Sequence, residues 1–361
     1  MVVKPIQGEK RVFMTGNEVI AWAALAAEVD VMYGYPITPQ NEIMHYWTRL
    51  APKYNKVFLQ TEDELSAGFT TIGGVLAGRK TFTATAGPGN TLMQEPFSMA
   101  EMMRIPVVAV IQQRGGPSTA TVIYSQQEVT LTTFGGNGEG HRIVYSPCNH
   151  QELFDYTIKS FNTAWKYRFP TFLLGDGYQA KMREPLVMYD PAERGIELVK
   201  PEVFLGNGME KGDYRHMRNT YNTEEELYEV IMSMQEEYDR VSPEIIEYQE
   251  YDCEGDLDVL ILAHGVVSRA AQAAVGYLRN AGYSVGHFRP ITLRPFPVEQ
   301  LRETAQRAKK ILIVESAYGQ LGKIVKESLF GLPAEAEYLY RPGVGITSEE
   351  VVEKIQEIIK K

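Results

Sequence analysis

The stretch GYPITPQN, residues 34–41, closes an apolar run and is followed, after one helical and one short extended segment, by QTEDEL at 60–65. Its two prolines fix much of the loop backbone in advance, so a hydroxyl such as that of Thr38 can be held toward a ligand at little ordering cost. Glu64 then opens a stretch of apolar and small residues, Leu65 to Leu76, that predicts a buried helix. A carboxylate at this position is expected to be partly desolvated, which leaves its pKa open to tuning.

Short apolar runs alternate with amphipathic stretches on both sides of this loop, which is the pattern of strands and crossover helices around a parallel sheet. The pattern weakens between Glu184 and about Leu257, where the chain becomes acidic and rich in tyrosine, and then it returns. We therefore predict an α/β fold in three parts. These are a doubly wound domain over residues 1–183, an acidic connecting arm packed on the surface over 184–256, and a smaller α/β domain over 257–361.

Local signals add detail to this prediction. Val12–Thr15 begins the series of strands, and Asn17 is expected to cap the helix that follows. Thr223–Glu226 is a capping box that opens a helix within the arm. The apolar stripe of that helix is expected to consist of Leu227, Val230, Ile231 and Met234. The proline-rich segment 289–297 is expected to be a loop.

The composition argues against several classes of protein. A formal charge of −10 disfavours a nucleic-acid-binding face, which needs a basic surface. No apolar stretch has the length of a signal-peptide core or a membrane span, so we expect no membrane association and a cytoplasmic location. Cys148 and Cys253 are the only cysteines and lie far apart, so neither a disulfide framework nor an iron–sulfur or zinc site is expected on this chain. The six histidines lack metal-binding spacing and are expected to be structural.

Four loops follow predicted strands: Tyr35-Pro36, Gly87-Pro88-Gly89, Arg114-Gly115-Gly116 and Gly175-Asp176-Gly177. Because ligands bind at the carboxyl ends of the strands in an open parallel sheet, these loops are expected to converge on one crevice. Any one of them taken alone would be interpreted as a tight turn. The planar guanidinium of Arg114 is suited to meet a carboxylate through two hydrogen bonds, the alternative being a surface arginine paired with an acidic neighbour.

The GDG sequence at 175–177 is similar to the metal-diphosphate motif of thiamine diphosphate enzymes, in which a paired asparagine follows some distance later. No such pair occurs in the corresponding stretch, residues 199–208. We therefore interpret it as a turn at the end of a strand, and expect no metal ligands on this chain.

Five motifs, in this order, closely resemble the alpha subunit of the 2-oxoacid:ferredoxin oxidoreductases: GYPITP at 34–39, EDE at 62–64, TATAGPG at 83–89, RGGP at 114–117 and RP at 289–290. The resemblance covers nearly the whole chain. It implies a domain like the pyrimidine-binding half of a thiamine diphosphate site, followed by a transketolase C-terminal-like domain. It also implies oxidative decarboxylation of a 2-oxoacid with coenzyme A to acyl-CoA, carbon dioxide and reduced ferredoxin.

The same resemblance implies a division of labour between chains. A beta subunit would bind the diphosphate and Mg²⁺ of the shared thiamine diphosphate, and [4Fe-4S] clusters on partner subunits would carry electrons to ferredoxin. A gamma subunit and a ferredoxin-like delta subunit are the further expected partners. On this chain, Glu64 would be the catalytic carboxylate facing the aminopyrimidine, Thr38 and Arg114 would bind substrate, and Pro36 would contact the cofactor.

The resemblance leaves the substrate open. Gln40-Asn41 favours the branched-chain type, which acts on 3-methyl-2-oxobutanoate, whereas Gly116-Pro117-Ser118-Thr119 favours the 2-oxoglutarate type. No further basic residue near Arg114 is evident, which favours a monocarboxylic substrate. Two other functions remain as alternatives: one half of a non-oxidative, transketolase-like thiamine diphosphate enzyme, and a non-catalytic assembly subunit.

Overall fold

The computed structural model describes residues 4–205, 216–333 and 335–360. Its strands are β1 (Lys10–Thr15), β2 (Val31–Gly34), β3 (Val57–Gln60), β4 (Thr81–Thr85), β5 (Val108–Gln113), β6 (Ile143–Tyr145), β7 (Thr171–Asp176), β8 (Arg183–Met188), β9 (Tyr248–Tyr251), β10 (Leu257–Leu262), β11 (Val285–Pro290), β12 (Thr292–Arg294), β13 (Ala308–Glu315) and β14 (Glu335–Tyr340). Its α-helices are α1 (Gly16–Ala26), α2 (Asn41–Leu50), α3 (Glu64–Leu76), α4 (Pro88–Leu92), α5 (Gln94–Met102), α6 (Val129–Phe134), α7 (His150–Tyr167), α8 (Gly177–Lys181), α9 (Glu224–Ile245), α10 (Val267–Asn280), α11 (Val298–Ala305), α12 (Gln320–Ser328) and α13 (Ser348–Lys360). Short 3₁₀ helices span Ala51–Tyr54 and Pro191–Arg194.

A seven-stranded sheet with strand order β12-β6-β7-β5-β4-β2-β3 forms the larger part of the molecule. From β6 to β3 every neighbouring pair is parallel. Strands β4, β5 and β7 are buried along their whole length, because helices cover both faces of a sheet built from crossover connections. The prediction of a doubly wound α/β arrangement is confirmed.

A second sheet has the strand order β14-β13-β10-β11-β9 and is parallel except for β9. On one face, α10 and α13 bury an apolar cluster with the inward residues of its central strands, among them Val259, Ile261, Leu312 and Val314. The last hundred residues, in which apolar runs alternate with amphipathic stretches, thus form a second α/β unit.

Strand β1 contains the predicted Val12–Thr15 strand but lies outside both large sheets. It pairs antiparallel with β8 in a two-stranded sheet, with Lys10 opposite Met188 and Thr15 opposite Arg183. The partner strand begins at the predicted end of the first domain, a long-range pairing that no local pattern indicates.

The segment 289–297, which we expected to be a loop, is mostly strand. Arg289 and Pro290 end β11, and Thr292–Arg294 forms β12, which pairs antiparallel with β6 at the edge of the seven-stranded sheet. Prolines are tolerated at strand ends and on edge strands, so their density here is compatible with extended structure. The expectation was therefore wrong, and a strand from the second half of the chain completes the first sheet.

Two helix details also differ from expectation. Thr15, not Asn17, caps α1, because its hydroxyl accepts a hydrogen bond from the amide of Glu18. Thr223 does cap α9 as predicted, but Leu227 in the expected stripe is 39% exposed. The buried face lies further along the helix, at Met234, Tyr238, Val241, Ser242 and Ile245.

From Met234 onward, α9 is packed on the body of the protein. The hydroxyl of Tyr238 donates to the carbonyl of Arg142 at 2.9 Å, and Arg104 forms an ion pair with Glu237. Of the predicted stripe, Met234 is buried, Val230 and Ile231 are partly buried and Leu227 is exposed, so the prediction holds for all but its first residue. No helix in the described ranges is both long and apolar enough to cross a bilayer.

Candidate active site

The loops that follow β7, β5, β4 and β2 lie side by side, because these four strands are neighbours in the sheet. Nη1 of Arg114, after β5, donates to the carbonyl oxygen of Thr38, after β2, at 2.9 Å. Nε2 of Gln113 donates to the carbonyl of Gly175, near the end of β7, at 3.1 Å. The prediction that the four loops lie together at one edge of the sheet is confirmed.

Glu64 is the first residue of α3, whose N-terminus is capped by Asp63 through a 2.7 Å hydrogen bond from the amide of Ser66. The side chain of Glu64 is 5% exposed, and none of the described side chains donates a hydrogen bond to it. Burial raises the pKa of its carboxyl group, a shift that Asp63 reinforces, while the backbone amide of Glu64 itself and the charge of Arg114 oppose it. The carboxyl group is therefore buried, unpaired and easier to protonate than an exposed glutamate.

Gly89, in α4, provides the space that Glu64 occupies. A Cβ atom at Gly89 would lie 2.5 Å from Oε1 of Glu64 and would also overlap Oγ1 of Thr85. That threonine hydroxyl is itself buried without a hydrogen-bond partner in the described structure. The GPG sequence at 87–89 thus brings a loop backbone close to the buried carboxyl group, which no residue with a side chain could do.

Arg114 is 4% exposed and forms no ion pair with any described acidic residue, so the alternative of a surface arginine with an acidic partner is wrong. Its Nη1 is engaged with Thr38, but its Nε is buried without a hydrogen-bond partner among the described residues, and Nη2 donates to none of them. One edge of the guanidinium, formed by Nε and Nη2, therefore has no hydrogen-bond partner among the described residues. Two parallel donors of this kind match the two oxygens of a carboxylate.

The loop that carries Pro36 and Thr38 is held from behind by amide side chains. Nε2 of Gln40 donates to the carbonyl of Tyr35 at 2.9 Å, and Nδ2 of Asn17 donates to that of Pro39 at 2.8 Å. Pro36 is exposed and Thr38 is partly exposed, so both remain accessible from the crevice. The burial of Asn17 inside α1 is explained by this role rather than by capping.

Glu128 is a site residue that our sequence reasoning missed. Its buried carboxylate accepts hydrogen bonds from the amide of Gly87 at 2.8 Å, from Nδ2 of Asn90 at 3.1 Å and from the amide of Arg114 at 2.9 Å. Burial raises its pKa, and these donors act in the opposite direction. One carboxylate thus ties the loop beside Glu64 to the loop that carries the guanidinium. The only signal in the sequence is that Glu128 is the single charged residue between 115 and 134.

Asp176 ends β7 and caps α8, since its Oδ1 accepts a hydrogen bond from the amide of Gln179 at 2.9 Å. Burial raises the pKa of this carboxyl group to about 7. The GDG sequence does lie at a strand end, as predicted, but it joins β7 directly to α8 instead of forming a turn. Nowhere in the described ranges do three histidine, cysteine, aspartate or glutamate side chains form a group that could hold a metal ion.

The second sheet meets this region through Gln126. The backbone amide and the side-chain oxygen of Gln126 bond to the carbonyl and the amide of Ser316, and its Nε2 donates to the carbonyl of His264 at 2.9 Å. Nδ1 of His264 lies 2.9 Å from the hydroxyl of Ser146. Burial, followed by the charge of Arg289, lowers the pKa of His264 to about 3, so the imidazole is neutral and structural.

Two family models match the chain. One, described as "Pyruvate flavodoxin/ferredoxin oxidoreductase, thiamine diP-bdg", covers residues 22–250, and the other, "Pyruvate:ferredoxin oxidoreductase core domain II", covers 257–351.

Characterised relatives are similar over nearly their full length. The chain is 33% identical to the ketoisovalerate oxidoreductase subunit VorB of Methanothermobacter marburgensis, over 95% of this chain and 96% of that protein. It is also 33% identical to the 2-oxoglutarate synthase subunit KorA of the same organism, over 95% of this chain and 98% of that protein. The chain is thus equally identical to one subunit of each kind.

Solved structures agree with this relationship. The 2-oxoglutarate:ferredoxin oxidoreductase from Magnetococcus marinus, solved with 2-oxoglutarate, coenzyme A and succinyl-CoA bound, superposes with a TM-score of 0.87 at 25% identity. The match covers 97% of this chain and 65% of that one. A split-gene transketolase, in an inactive tetramer, matches 96% of this chain with a TM-score of 0.60 at 15% identity, which indicates a shared fold.

Proposed function

We infer that this chain, which belongs to the 2-oxoacid:ferredoxin oxidoreductase family, is the alpha subunit of an enzyme that oxidatively decarboxylates a 2-oxoacid with coenzyme A. The products would be an acyl-CoA, carbon dioxide and reduced ferredoxin. The chain is a subunit of an oxidoreductase. The roles of individual residues and the cofactors carried by partner subunits are proposals.

We divide the chain into a pyrimidine-binding-like domain over 1–183, a connecting arm over 184–256 and a transketolase C-terminal-like domain over 257–361. The two family models leave a gap between residues 250 and 257, which supports the second boundary. Strand β8 begins at Arg183 and pairs back to β1, so the first boundary falls at the start of a strand rather than in a loop.

The residues at the crevice fit the pyrimidine half of thiamine diphosphate. Glu64 supplies a buried carboxyl group without a side-chain partner, and Gly89 keeps the neighbouring backbone free of a side chain. When bound, thiamine diphosphate supplies the carbon nucleophile that 2-oxoacid decarboxylation needs. Glu64 would hold a proton at a ring nitrogen, a task to which its raised pKa is suited. The backbone at Pro36 would contact the same ring system.

Arg114 and Thr38 would bind the carboxylate of the substrate. The unpartnered Nε–Nη2 edge of Arg114 offers two donors, and Nη1 is already fixed to the carbonyl of Thr38. The hydroxyl of Thr38 could donate a further hydrogen bond from the same side. This arrangement would orient the carboxylate until it leaves as carbon dioxide.

Partner subunits would supply what this chain lacks. The sequence has two cysteines, and the described ranges contain no group of three metal-binding side chains, which supports placing the [4Fe-4S] clusters and the Mg²⁺ site on other chains. We assign the diphosphate and Mg²⁺ to a beta subunit, and the clusters to partners that include gamma and ferredoxin-like delta subunits. Both cysteines are free and buried, which is consistent with a reducing, cytoplasmic location.

The observation that carries this proposal is the pairing of a buried, unpartnered Glu64 with an arginine whose carboxylate-binding edge is free. The test is to purify the chain alone and together with its partner subunits, then to measure coenzyme A-dependent reduction of a viologen dye by 2-oxoacids. We expect activity and a brown colour only in the assembly. Oxidation of a 2-oxoacid by the isolated chain would contradict a shared site, and a colourless assembly with ketol-transfer activity would favour the transketolase-like alternative.

A further inference from the structure

Two buried threonine hydroxyls of β4, those of Thr83 and Thr85, have no hydrogen-bond partner among the described residues. Both residues are 0% exposed, so solvent and partner chains reach neither hydroxyl. Buried hydroxyls are usually paired, because an unpaired one costs stability. Both threonines belong to the TATAGPG sequence at 83–89, in which the proposed function uses only Gly89.

The two threonines differ in their distance from Glu64. The atoms nearest to a Cβ built on Gly89 are Oγ1 of Thr85, at 2.2 Å, and Oε1 and Cγ of Glu64, at 2.5 and 2.7 Å. The hydroxyl oxygen and the carboxyl oxygen therefore flank the same glycine and can be no farther apart than the first two of these distances together. Thr83 is two residues earlier on the same face of the strand, farther from the loop that carries Gly89.

On the basis of the proposed function, we propose that Thr85 is a positioning residue for Glu64, whose carboxyl group its hydroxyl holds by a hydrogen bond in both protonation states. A hydroxyl can donate to an ionised carboxylate and can accept from a protonated carboxyl group, whereas a backbone amide does only the first. Such a partner suits a carboxyl group that must both hold and release a proton. The bond is not formed in the structure, but Gly89 leaves no side chain between the two groups, so rotation of the side chains would close it.

The charges that face Glu64 do not involve Thr85. Asp63 raises the pKa of the Glu64 carboxyl group and Arg114 lowers it, while burial contributes the largest effect. The segment 81–93, which carries Thr85, has no charged side chain. The other acidic groups on the elements around α3 are either bonded or at the surface: Glu128 accepts from three donors, Glu101 pairs with Arg142, and Glu62 and Glu95 are exposed. Removing the Thr85 hydroxyl therefore changes the surroundings of Glu64 without changing a charge.

Three variants separate this role from a structural one. Thr85→Val keeps the shape of the side chain and removes the hydroxyl, and Thr85→Ser keeps the hydroxyl. Thr83→Val is the matched control, because it removes the other unpaired hydroxyl of the same strand. Gel filtration and urea denaturation check that all three fold.

The first measurement is the titration of Glu64 in the isolated full-length chain. Infrared difference spectroscopy follows the carboxyl band that Glu64→Gln removes. Thr85→Val should raise the midpoint of this titration by about one pH unit, a tenfold change in the protonation equilibrium, because the bond to the ionised form is the stronger of the two. Thr85→Ser and Thr83→Val should keep the wild-type midpoint.

The second measurement is steady-state dye reduction by the assembled complex. Thr85→Val should lower kcat by about 10-fold and change KM for the 2-oxoacid by less than about twofold, since Arg114 and Thr38 are untouched. Thr85→Ser should restore kcat. A midpoint that stays fixed in Thr85→Val, or that moves equally in Thr83→Val, would overturn the inference and leave the proposed function intact. An assembly that oxidises no 2-oxoacid would contradict the proposed function, whereas the shift of the midpoint would still be expected, because it depends only on the contact between Thr85 and Glu64.

Discussion

The guanidinium of Arg114 donates a 2.9 Å hydrogen bond to the backbone carbonyl of Thr38. The two residues come from loops 76 positions apart in the sequence. This bond fixes the rotation of the guanidinium plane, so the edge with the free Nε is presented in one direction. The substrate binding that we propose for this pair would therefore need little reordering of the protein.

Replacing Glu64 by glutamine keeps its size and removes its ability to exchange a proton. We expect turnover of the assembled complex to fall by about 10²–10⁴-fold, the usual contribution of a general acid or base. Steady-state dye reduction measures this, and gel filtration checks that the complex still assembles. Glu62→Gln, at an exposed position two residues earlier, is the control and should retain activity. Normal turnover in Glu64→Gln would remove Glu64 from the catalytic role.

Replacing Arg114 by lysine exchanges a two-donor edge for a point charge. We expect KM for the 2-oxoacid to rise by about 10-fold or more, because bidentate recognition of the carboxylate is lost. The exposed Arg11→Lys should leave KM unchanged. An unaltered KM in the Arg114 variant would show that the substrate carboxylate binds elsewhere.

A methyl group at position 89 should disturb the site from the loop side. The Cβ of Gly89→Ala would lie 2.5 Å from Oε1 of Glu64, so either the carboxyl group or the loop must move. We expect turnover to fall by about 100-fold, in line with the effect of a displacement of about 1 Å in an active site. Gly73→Ala, in α3, is the control, because the added methyl group would meet no atom within 4 Å outside its own helix backbone. Equal activity in the two variants would argue against the close packing of Gly89 and Glu64.

Glu128→Gln tests a positioning residue. The amide nitrogen of glutamine would face a backbone donor, either that of Gly87 or that of Arg114, and would break one of the bonds that join their loops. We expect the free energy of unfolding to fall by about 1–3 kcal/mol and KM to rise, since an unsatisfied buried donor is costly. Urea denaturation and steady-state kinetics measure the two effects. A loss of stability with KM unchanged would mean that Glu128 supports the fold without orienting Arg114.

Lowering the pH should reduce the contribution of the buried, neutral His264 imidazole to the free energy of unfolding. The pKa of the folded imidazole is about 3, so between roughly pH 6.5 and 3 the unfolded chain binds a proton that the folded chain does not. The stabilising contribution is present above pH 6.5 and is lost as the pH falls, at about 1.4 kcal/mol per pH unit. Asp176, with a folded pKa of about 7, acts in the opposite direction over part of this range, so the variant must be compared with the wild type.

The comparison is made with His264→Asn, which retains a polar side chain but does not titrate. From pH 7 to pH 5, the wild type should lose about 2 kcal/mol more of its unfolding free energy than the variant. Urea denaturation at both values measures this difference. Parallel pH dependence in the two proteins would contradict the assigned cause.

The sequence was sufficient to predict those elements that depend only on neighbouring residues. The apolar strands, the capping box at Thr223 and the strand-end loops were predictable, because periodicity and side-chain chemistry determine them. Glu64 and Arg114 were also placed correctly in one crevice, since both lie at carboxyl ends of predicted strands or directly follow them. Their assigned roles remain predictions.

Features that depend on distant partners were not predictable. Glu128 joins Gly87 to Arg114, and Asn17 holds the carbonyl of Pro39, yet neither residue belongs to a recognisable motif. The position of β12 in the first sheet depends on the free edge of β6, nearly 150 residues earlier. The prolines around β12 suggested a loop. Local propensity carries no information about the free edge of β6, with which this segment pairs.

The insertion of β12 into the larger sheet links the stability of the two halves. A protein cleaved between residues 251 and 256 would leave β6 of the first fragment paired only with β7, so its other edge would be open, and such edges promote aggregation. The second fragment would have to bind back through that strand to restore the sheet. The C-terminal half can therefore be exchanged for that of a relative only if the new half brings an edge strand that fits β6.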